Sequence, residues 1–545
     1  MNNNVFINFF KKRWKVLTFF FVLICIIYAN SLNNEFVSDD IIGIQNNAKI
    51  NTLGYVFLPP YSYLRQFLVF LTHKVFGLEP IFYRLPNLFF HFGSTVLVFL
   101  LLKRFFKKPI PFFTATIFAV HPLLTESITW ISGGQYVYIA FFLLLSFLYY
   151  LKLSDRESKS YFFFLSLLFF ILAILTSEKS VFYPAVLFFY EIFFGNLKKN
   201  FRRLIPFFVV DILWIFWLFH LFSEKVYDLE SNFYAKPKVT SPFIQIPIAV
   251  TYYLKLIFWP MDLTLYHSEL SFTQGQYIFM VLIFIIFLGT IAFFWKKEKK
   301  VSFFLLFFLI ALSPTLLPLG VGWVVAERYT YLASLGIFVF IAFVIHKISK
   351  IFKNQKVGYI LLAITVLALA ARTIMRNNDW RNQDNLWLAA ERTSPTSHQN
   401  HNNLGDLYAR RGEYEKAIEE FQKAIELKPD YGDAYHNMAN VYHQIGRDDL
   451  AEENYKKALF LNPRLWQSYQ NLAAISFSQK KFDLARDFMT KAIEINPNSI
   501  DLYLNLAVVF INKGDNQMAK ETFKKVLQLD PQNKAANQML IQLSQ

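Results

Sequence analysis

The sequence is poor in charge and nearly free of cysteine. Only 17% of its 545 residues are charged, whereas 55% are hydrophobic and 19% are aromatic. A soluble protein of this length carries more charge, so the composition indicates a polytopic membrane protein. The single cysteine, Cys25, lies inside an apolar segment. An internal disulfide is therefore excluded, and the stability of the fold depends on packing.

The motifs of several enzyme classes are also missing. The chain has no His-Glu-x-x-His, no cysteine pair, no Gly-x-Ser-x-Gly and no Walker-type glycine-rich loop. Zinc-protease, hydrolase and P-loop chemistries are therefore not indicated. With one cysteine and scattered histidines, the sequence predicts no metal site and no required cofactor, and metal dependence stays open.

Eleven apolar segments approach the roughly 20 residues that a helix needs to cross a bilayer. Lys and Arg concentrate at the N-terminus and in the loops after the even-numbered segments, which places those regions in the cytoplasm. The stretches 61–76 and 243–259 carry basic residues among apolar ones and are predicted either to lie in the outer interface or to re-enter the membrane from that side. The predicted crossings are 14–29, 85–102, 109–123, 131–151, 161–176, 181–195, 204–222, 277–295, 301–319, 329–348 and 357–374.

The basic excess belongs to this apolar half. Before His398 there are 37 basic and 20 acidic residues, whereas the remainder has 18 and 19. Anchoring of cytoplasmic loops explains this distribution better than nucleic-acid binding does. Because the number of crossings is odd, the C-terminal part is expected on the outer face.

From His398 the chain repeats with a period of 34 residues, the spacing of tetratricopeptide repeats. Small residues recur at positions where paired helices approach, and a proline closes each unit. The predicted fold is all-α, a polytopic helical membrane domain followed by an α-solenoid. Its predicted parts are a membrane domain (1–378), a degenerate half repeat or linker (379–397), four repeats (398–531) and a C-terminal capping helix (532–545).

The repeats predict a surface that binds a polypeptide. Asparagines recur on the first helices of the repeats, where this repeat class often holds a peptide backbone. The alternative is that they are ordinary surface residues. The candidates for peptide binding are Asn402, Asn437, Asn471 and Asn505.

Ionisable residues of the apolar half collect on the predicted outer side. Asp39 and Asp40 follow the first crossing. They could be an ordinary pair in a solvated loop, but ionisable residues placed beside the membrane between apolar segments usually have a function. Such a carboxylate can act as general base toward a hydroxyl nucleophile. Cationic side chains on the same side can hold a lipid-linked phosphate. The cationic candidates are Arg65, Lys179 and Arg328, and further candidates are His121, Glu126, Glu178 and Glu327.

The order of these motifs resembles that of the C-type (GT-C) integral-membrane glycosyltransferases. It is most similar to the transmembrane and tetratricopeptide-repeat O-mannosyltransferase group with its bacterial relatives. The resemblance rests on Phe36-Val37-Ser38-Asp39-Asp40, the Arg65 segment, Asn87 with His91, His121-Pro122 with Glu126, Glu327-Arg328-Tyr329 and Trp380-Arg381. The chain departs from the group at Arg65-Gln66-Phe67, at Ser177-Glu178-Lys179 and at Gly133-Gly134, where relatives often carry charged residues.

The resemblance implies inverting transfer of a monosaccharide from a polyprenyl-phosphate donor. Asp39 or Asp40 would be the catalytic base, and Arg65, Lys179 and Arg328 would bind the donor phosphate. A protein serine or threonine hydroxyl is one acceptor that it implies, with the repeats holding acceptor or partner. The site would face the periplasm or a lumen, and a bacterial inner membrane is the favoured location.

A second interpretation assigns no catalysis to the chain. The apolar half would then be a membrane anchor, and the repeats would be a scaffold for an envelope assembly. Convergence of Asp39, Arg65 and Arg328 on one cavity favours the enzyme, whereas wide separation favours the anchor.

Overall fold

The computed structural model describes residues 3–58, 62–155, 159–232, 241–267, 272–316 and 325–544. Within these ranges the chain is helical and contains no β-strand. The predicted all-α class with a C-terminal solenoid is therefore confirmed. Residues 1–223 with 237–393 form one compact unit, and residues 224–236 with 394–545 form a second.

Sixteen α-helices begin in the first unit, counted over the described residues. They are α1 (Asn3–Tyr28), α2 (Tyr63–Phe76), α3 (Pro80–Phe105), α4 (Ile110–Val120), α5 (Thr125–Thr129), α6 (Gly134–Lys152), α7 (Tyr161–Ile174), α8 (Tyr183–Phe193), α9 (Leu197–Asn232), α10 (Pro242–Phe258), α11 (Gln274–Lys297), α12 (Lys299–Leu312), α13 (Thr330–Ala333), α14 (Leu335–Ile351), α15 (Gln355–Asp379) and α16 (Gln383–Thr393).

Each of the eleven predicted crossings overlaps a helix of this unit. Five helices in the described ranges are long and apolar enough to span a bilayer, and a sixth candidate combines Glu327–Ala333 with Leu335–Ile351 across a 60° bend. The helices Ile110–Val120, Tyr161–Ile174 and Pro242–Phe258 are apolar but shorter. The chain is a membrane protein, and the count of eleven crossings stays a prediction. The end of the predicted crossing 301–319 lies outside the described residues.

The most apolar helices expose much of their surface. Only 6% of the most apolar stretch of α11 is buried within the chain, against 72% for α6. Exposed Ile285, Ile286 and Phe293 of α11 are suited to contact lipid rather than water. The helix α6, in contrast, lies within the bundle, and its N-terminal end begins beside the candidate site.

Among its described residues from Ser394 onward, the second unit contains four antiparallel helix pairs and a last helix. Alanines at the four predicted close-contact positions, Ala417, Ala451, Ala485 and Ala519, are fully buried. A Cβ atom on Gly405 would lie 2.5 Å from the ring of Phe421, so this packing requires glycine. The helices are α17 (His398–Arg410), α18 (Tyr414–Leu427), α19 (Gly432–Gln444), α20 (Asp448–Leu461), α21 (Trp466–Ser478), α22 (Phe482–Ile495), α23 (Ile500–Lys513), α24 (Asn516–Leu529) and α25 (Lys534–Ser544).

The turn inside each repeat has a left-handed residue at one position. Gly412, Gly446 and Gly514 occupy it with φ of 77°, 77° and 87°, but the third repeat has Lys480 with φ of 61°. Glycine adopts this conformation freely, whereas a residue with a Cβ atom is strained in it.

Replacing Lys480 by glycine is therefore expected to stabilise the third repeat by about 1 kcal/mol. Native-state hydrogen exchange of amides in α21 and α22 of the full chain measures this gain directly. The matched change Lys481→Gly, next to the turn, should destabilise the same amides because position 481 has no positive φ. Slower exchange in both variants, or in neither, would contradict the assignment of strain to Lys480.

Candidate functional site

The loop after α1 is fixed to the helical bundle by hydrogen bonds to its backbone. Arg84 of α3 donates to the carbonyl oxygens of Asn34 and Glu35 and, at 3.0 Å, to that of Thr129. The indole nitrogen of Trp130 donates to the Val37 carbonyl oxygen at 3.2 Å. Ser38 has a φ of 54°, which is strained for a residue with a side chain. These contacts therefore fix the conformation of the backbone that leads to Asp39 and Asp40.

The two aspartates differ in their surroundings. Asp40 is fully buried. Its Oδ1 accepts hydrogen bonds from the Ser132 backbone nitrogen at 2.9 Å and from the Ser132 hydroxyl at 2.5 Å. Arg65 donates to the same hydroxyl at 2.8 Å. Asp40, Ser132 and Arg65 thus form one buried cluster, in which the Oδ2 atom of Asp40 has no partner in the described part of the chain.

Asp39 is exposed, and no hydrogen bond or ion pair within the described ranges restrains its carboxylate. An acceptor hydroxyl arriving from solvent can reach this carboxylate. It cannot reach Asp40 in this conformation, because Asp40 has no exposed surface. The geometry favours Asp39 for contact with substrate and Asp40 for holding the loop.

Burial raises the pKa of Asp40 to about 6, although hydrogen bonds from Ser132 and the charges of Arg65 and Arg84 act in the opposite direction. A carboxyl whose pKa is higher in the folded than in the unfolded state stabilises the fold fully below its unfolded pKa, and this contribution is lost as the pH rises through the folded value. The relevant window runs from about pH 4 to about pH 6.

Between pH 4 and pH 7, the free energy of unfolding of the wild type should therefore fall by about 3 kcal/mol more than that of Asp40→Asn, whose side chain does not titrate. Reversible unfolding in mixed micelles at several pH values measures this difference. The exposed Asp39 provides the control, since the difference in free energy of unfolding between the wild type and Asp39→Asn should stay nearly constant over this pH range. A flat difference for Asp40→Asn would show that Asp40 does not titrate in this window.

A second buried group lies at Glu126 and Arg328. The Glu126 carboxylate accepts from the Arg328 backbone nitrogen at 2.9 Å and from its guanidinium at 2.5 Å. The side chain of Glu126 is 1% exposed and that of Arg328 is 12% exposed. The Arg328 guanidinium also lies 5.6 Å from the centre of the Trp130 ring and 5.2 Å from that of Tyr329. These contacts fix the guanidinium but leave part of it accessible.

Arg328 and Lys179 line the same cleft, whose free volume is about 30 Å³, the space of one water molecule. Lys179 lies 3.3 Å from Glu178 and 5.7 Å from the centre of the Tyr329 ring. Tyr136 lines the cleft as well. Two cations and three tyrosines line this space, a set of side chains suited to an anionic group such as a phosphate, although the cleft has to widen to admit one. The third cation expected there, Arg65, lies instead beside Ser132 and Asp40.

His121 and Glu327 have structural partners. The Leu123 backbone nitrogen donates to His121 Nδ1 at 3.2 Å, so Nε2 carries the proton and donates to the Ile257 carbonyl oxygen at 3.0 Å. One oxygen of Glu327 lies 3.0 Å from Arg376 and 3.3 Å from His267. His121 joins α4 to α10 and Glu327 joins α15 to the loop before α13, so neither directs its bonded atoms at the cleft.

The segment 130–136 contacts both the cluster of Asp40 and Arg65 and the cleft lined by Arg328. Trp130 contacts both the aspartate loop and Arg328, Ser132 binds Asp40, and Tyr136 lines the cleft. A Cβ atom on Gly134 would lie 2.1 Å from Asn87 Oδ1, and one on Gly133 would lie 2.5 Å from the Glu126 carbonyl oxygen. The glycine pair therefore permits close packing of this segment.

Sequence reasoning did not identify Ser132, Trp130 or Arg84 as parts of the site. Ser132 carried no signal of its own, since an isolated serine between apolar residues is common. Arg84 and Trp130 lie directly before the predicted crossings 85–102 and 131–151. An arginine at the edge of an apolar stretch was a usable signal, because burial of its side chain needs several acceptors.

The asparagines of the repeats interact with one another in part. Asn437 donates to Asn402 at 3.0 Å, whereas Asn471 donates to Asn440 at 2.8 Å and to the Tyr455 hydroxyl at 2.9 Å. Asn505 is exposed. Peptide binding by these four residues stays a prediction.

Models of tetratricopeptide repeats match residues 405–446, 432–465 and 476–543. Over a larger part of the chain, 24% of 477 aligned residues are identical to "Protein O-mannosyl-transferase TMTC3" of Mus musculus, which covers 77% of this chain and 52% of that protein. The chain is similar to protein O-mannosyl-transferases. The Caenorhabditis elegans relative, "Protein O-mannosyl-transferase F38B6.6", is 25% identical over 449 residues, 74% of this chain and 61% of its own.

The chain spans about half the length of the mannosyl-transferase relatives from mouse and human. Among solved structures, Pseudomonas aeruginosa pilF is 27% identical over 27% of this chain and 67% of its own, with a TM-score of 0.25. The similarity to the mannosyl-transferases, in contrast, extends over most of the chain and therefore includes residues of the membrane unit.

Proposed function

We propose that the chain is a membrane glycosyltransferase that moves mannose from a polyprenyl-phosphate donor to a serine or threonine hydroxyl of a protein. The observation that carries the proposal is that the segment 130–136 contacts both the loop bearing the exposed Asp39 carboxylate, through Val37 and Asp40, and a cleft with two cations. Similarity to proteins named O-mannosyl-transferases supports the sugar and the acceptor class. The reaction face is the outer one, which is also the face expected for the repeats.

Asp39 acts as the general base in the proposed reaction. The acceptor oxygen forms a bond to the anomeric carbon as its proton passes to the Asp39 carboxylate, and the bond from that carbon to the phosphate oxygen breaks. The electron pair of the broken bond leaves with polyprenyl phosphate. Attack from the face opposite the phosphate inverts the configuration at the anomeric carbon.

Lys179 and Arg328 stabilise the charge that develops on the leaving phosphate. Their positions are fixed before substrate arrives, Lys179 by Glu178 and Arg328 by Glu126 and Trp130. Preformed cations in a site with little water contribute strongly to transition-state stabilisation. Asp40, Ser132 and Arg65 act on the reaction indirectly, by holding the loop that presents Asp39.

The test is a transfer assay with purified full-length chain in nanodiscs. Radiolabelled polyprenyl-phosphate mannose, and in parallel the glucose and galactose donors, are offered with serine- and threonine-containing peptides. Label should pass from the mannose donor to peptide with the wild type and not with the Asp39→Asn, Asp40→Asn double variant. No transfer from any donor, or equal transfer by the double variant, would reject the proposal.

A further inference from the structure

In the third repeat, Lys480 occupies a strained left-handed position that is glycine in the other repeats. At the equivalent position of the other repeats, a Cβ atom on Gly412, Gly446 or Gly514 would meet nothing within 4 Å. No packing contact therefore calls for a side chain there, and the positive φ opposes one. A strained residue that contributes nothing to stability points to a function of its side chain.

Lys480 lies in a cleft between the third and fourth repeats. The cleft has a volume of about 510 Å³ and is open to solvent. Its lining residues are Lys480, Lys481, Phe482, Asp483, Leu484, Asn512 and Lys513. The volume is in the range of sites that hold small ligands or a few side chains of a peptide.

The charge of the cleft is positive, although the repeat region as a whole is nearly neutral. Asp483 lies 2.5 Å from Lys513 and 3.2 Å from Arg486, so its negative charge is already balanced. Lys480 and Lys481 have no carboxylate partner among the residues that the structure describes. Two lysines without a described carboxylate partner therefore line one open cleft.

We propose that this cleft binds an acidic peptide segment, with carboxylates on Lys480 and Lys481 and an apolar side chain against Leu484. Leu484 is 40% exposed, which gives the cleft an apolar surface beside its charges. Tetratricopeptide repeats are protein-binding modules, which favours a peptide over a lipid surface. The site is separate from the asparagines on the first helices, and it does not depend on the transfer reaction.

The proposal is tested with a short fluorescent peptide that contains four glutamates around a leucine. The matched peptide carries glutamines in place of the glutamates. Both are titrated by fluorescence anisotropy against the full chain in nanodiscs of zwitterionic lipid. The acidic peptide should bind about tenfold more tightly than its amide counterpart, and added salt should reduce the difference.

The variant Lys480→Gly, Lys481→Gln should weaken binding of the acidic peptide about tenfold, while Lys457→Gln, an exposed lysine outside the cleft, should change it little. The single variant Lys480→Gly removes the charge and the strain together. It should weaken binding while slowing hydrogen exchange of α21 and α22, so weaker binding cannot be explained by unfolding.

Equal affinity for the two peptides, or an unchanged affinity in the double variant, would overturn the proposal. Flotation with vesicles that contain phosphatidylglycerol provides the remaining comparison. If the double variant loses affinity for these vesicles but not for the acidic peptide, the cleft binds a lipid surface and the peptide proposal is wrong.

Discussion

Replacing Asp39 by asparagine is expected to lower the rate of mannosyl transfer about a thousandfold. Asparagine has nearly the same shape but cannot accept the proton of the acceptor hydroxyl. Because Asp39 is exposed and makes no restraining contact in the described structure, the substitution should leave the free energy of unfolding unchanged. The KM for the donor should also stay within about twofold, since in the proposed reaction the donor phosphate binds Lys179 and Arg328 rather than Asp39.

The neighbouring variant Asp40→Asn separates the two aspartates. Its side-chain oxygen can still accept from Ser132, so the loop should keep its position and transfer should fall only about tenfold. Initial rates over a range of donor concentrations measure kcat and KM for both variants. If Asp40→Asn loses a thousandfold and Asp39→Asn keeps its rate, Asp40 moves out of its buried position to act as the base, and the assignment is reversed.

The repeats were the part of the fold that the sequence predicted best. A period of 34 with alanine at each close contact leaves one arrangement of helix pairs, and Ala417 and Ala451 are buried as that register requires. The apolar segments also predicted the positions of helices well, since each of the eleven segments overlaps a helix. They could not determine which helices cross a bilayer, because apolar composition is similar for a crossing helix, a bent pair and a helix in the interface.

The candidate site was predicted as a set of residue types rather than as an arrangement. Position relative to the membrane placed Asp39, Asp40 and Arg328 on one side. It could not distinguish an exposed Asp39 from a buried Asp40, since adjacent residues in a loop differ in burial only through distant partners such as Ser132 and Arg65. Those contacts connect residues far apart in sequence and have no local pattern.

Removing Glu126 is expected to destabilise the membrane unit by about 3–5 kcal/mol. The Glu126→Ala variant leaves the Arg328 guanidinium, 12% exposed, without its counter-charge. It also removes the acceptor of the Arg328 backbone N–H. The pair Glu178–Lys179, whose side chains are 39% and 27% exposed, provides the comparison, because Glu178 is better hydrated and Glu178→Ala should cost only about 1 kcal/mol. Unfolding in mixed micelles gives both values.

The double variant Glu126→Ala, Arg328→Met then separates stability from donor binding. Removing both charges should restore most of the free energy of unfolding, because no unpaired charge remains buried. It should not restore the KM for polyprenyl-phosphate mannose, which we expect to stay about tenfold or more above the wild-type value, since Lys179 alone then faces the phosphate. Recovery of both quantities would show that Arg328 serves only to pair Glu126, and the phosphate would then have to bind elsewhere, with Arg65 as the remaining cation of the site. Recovery of stability alone would assign Arg328 to the donor phosphate and Glu126 to holding it in place.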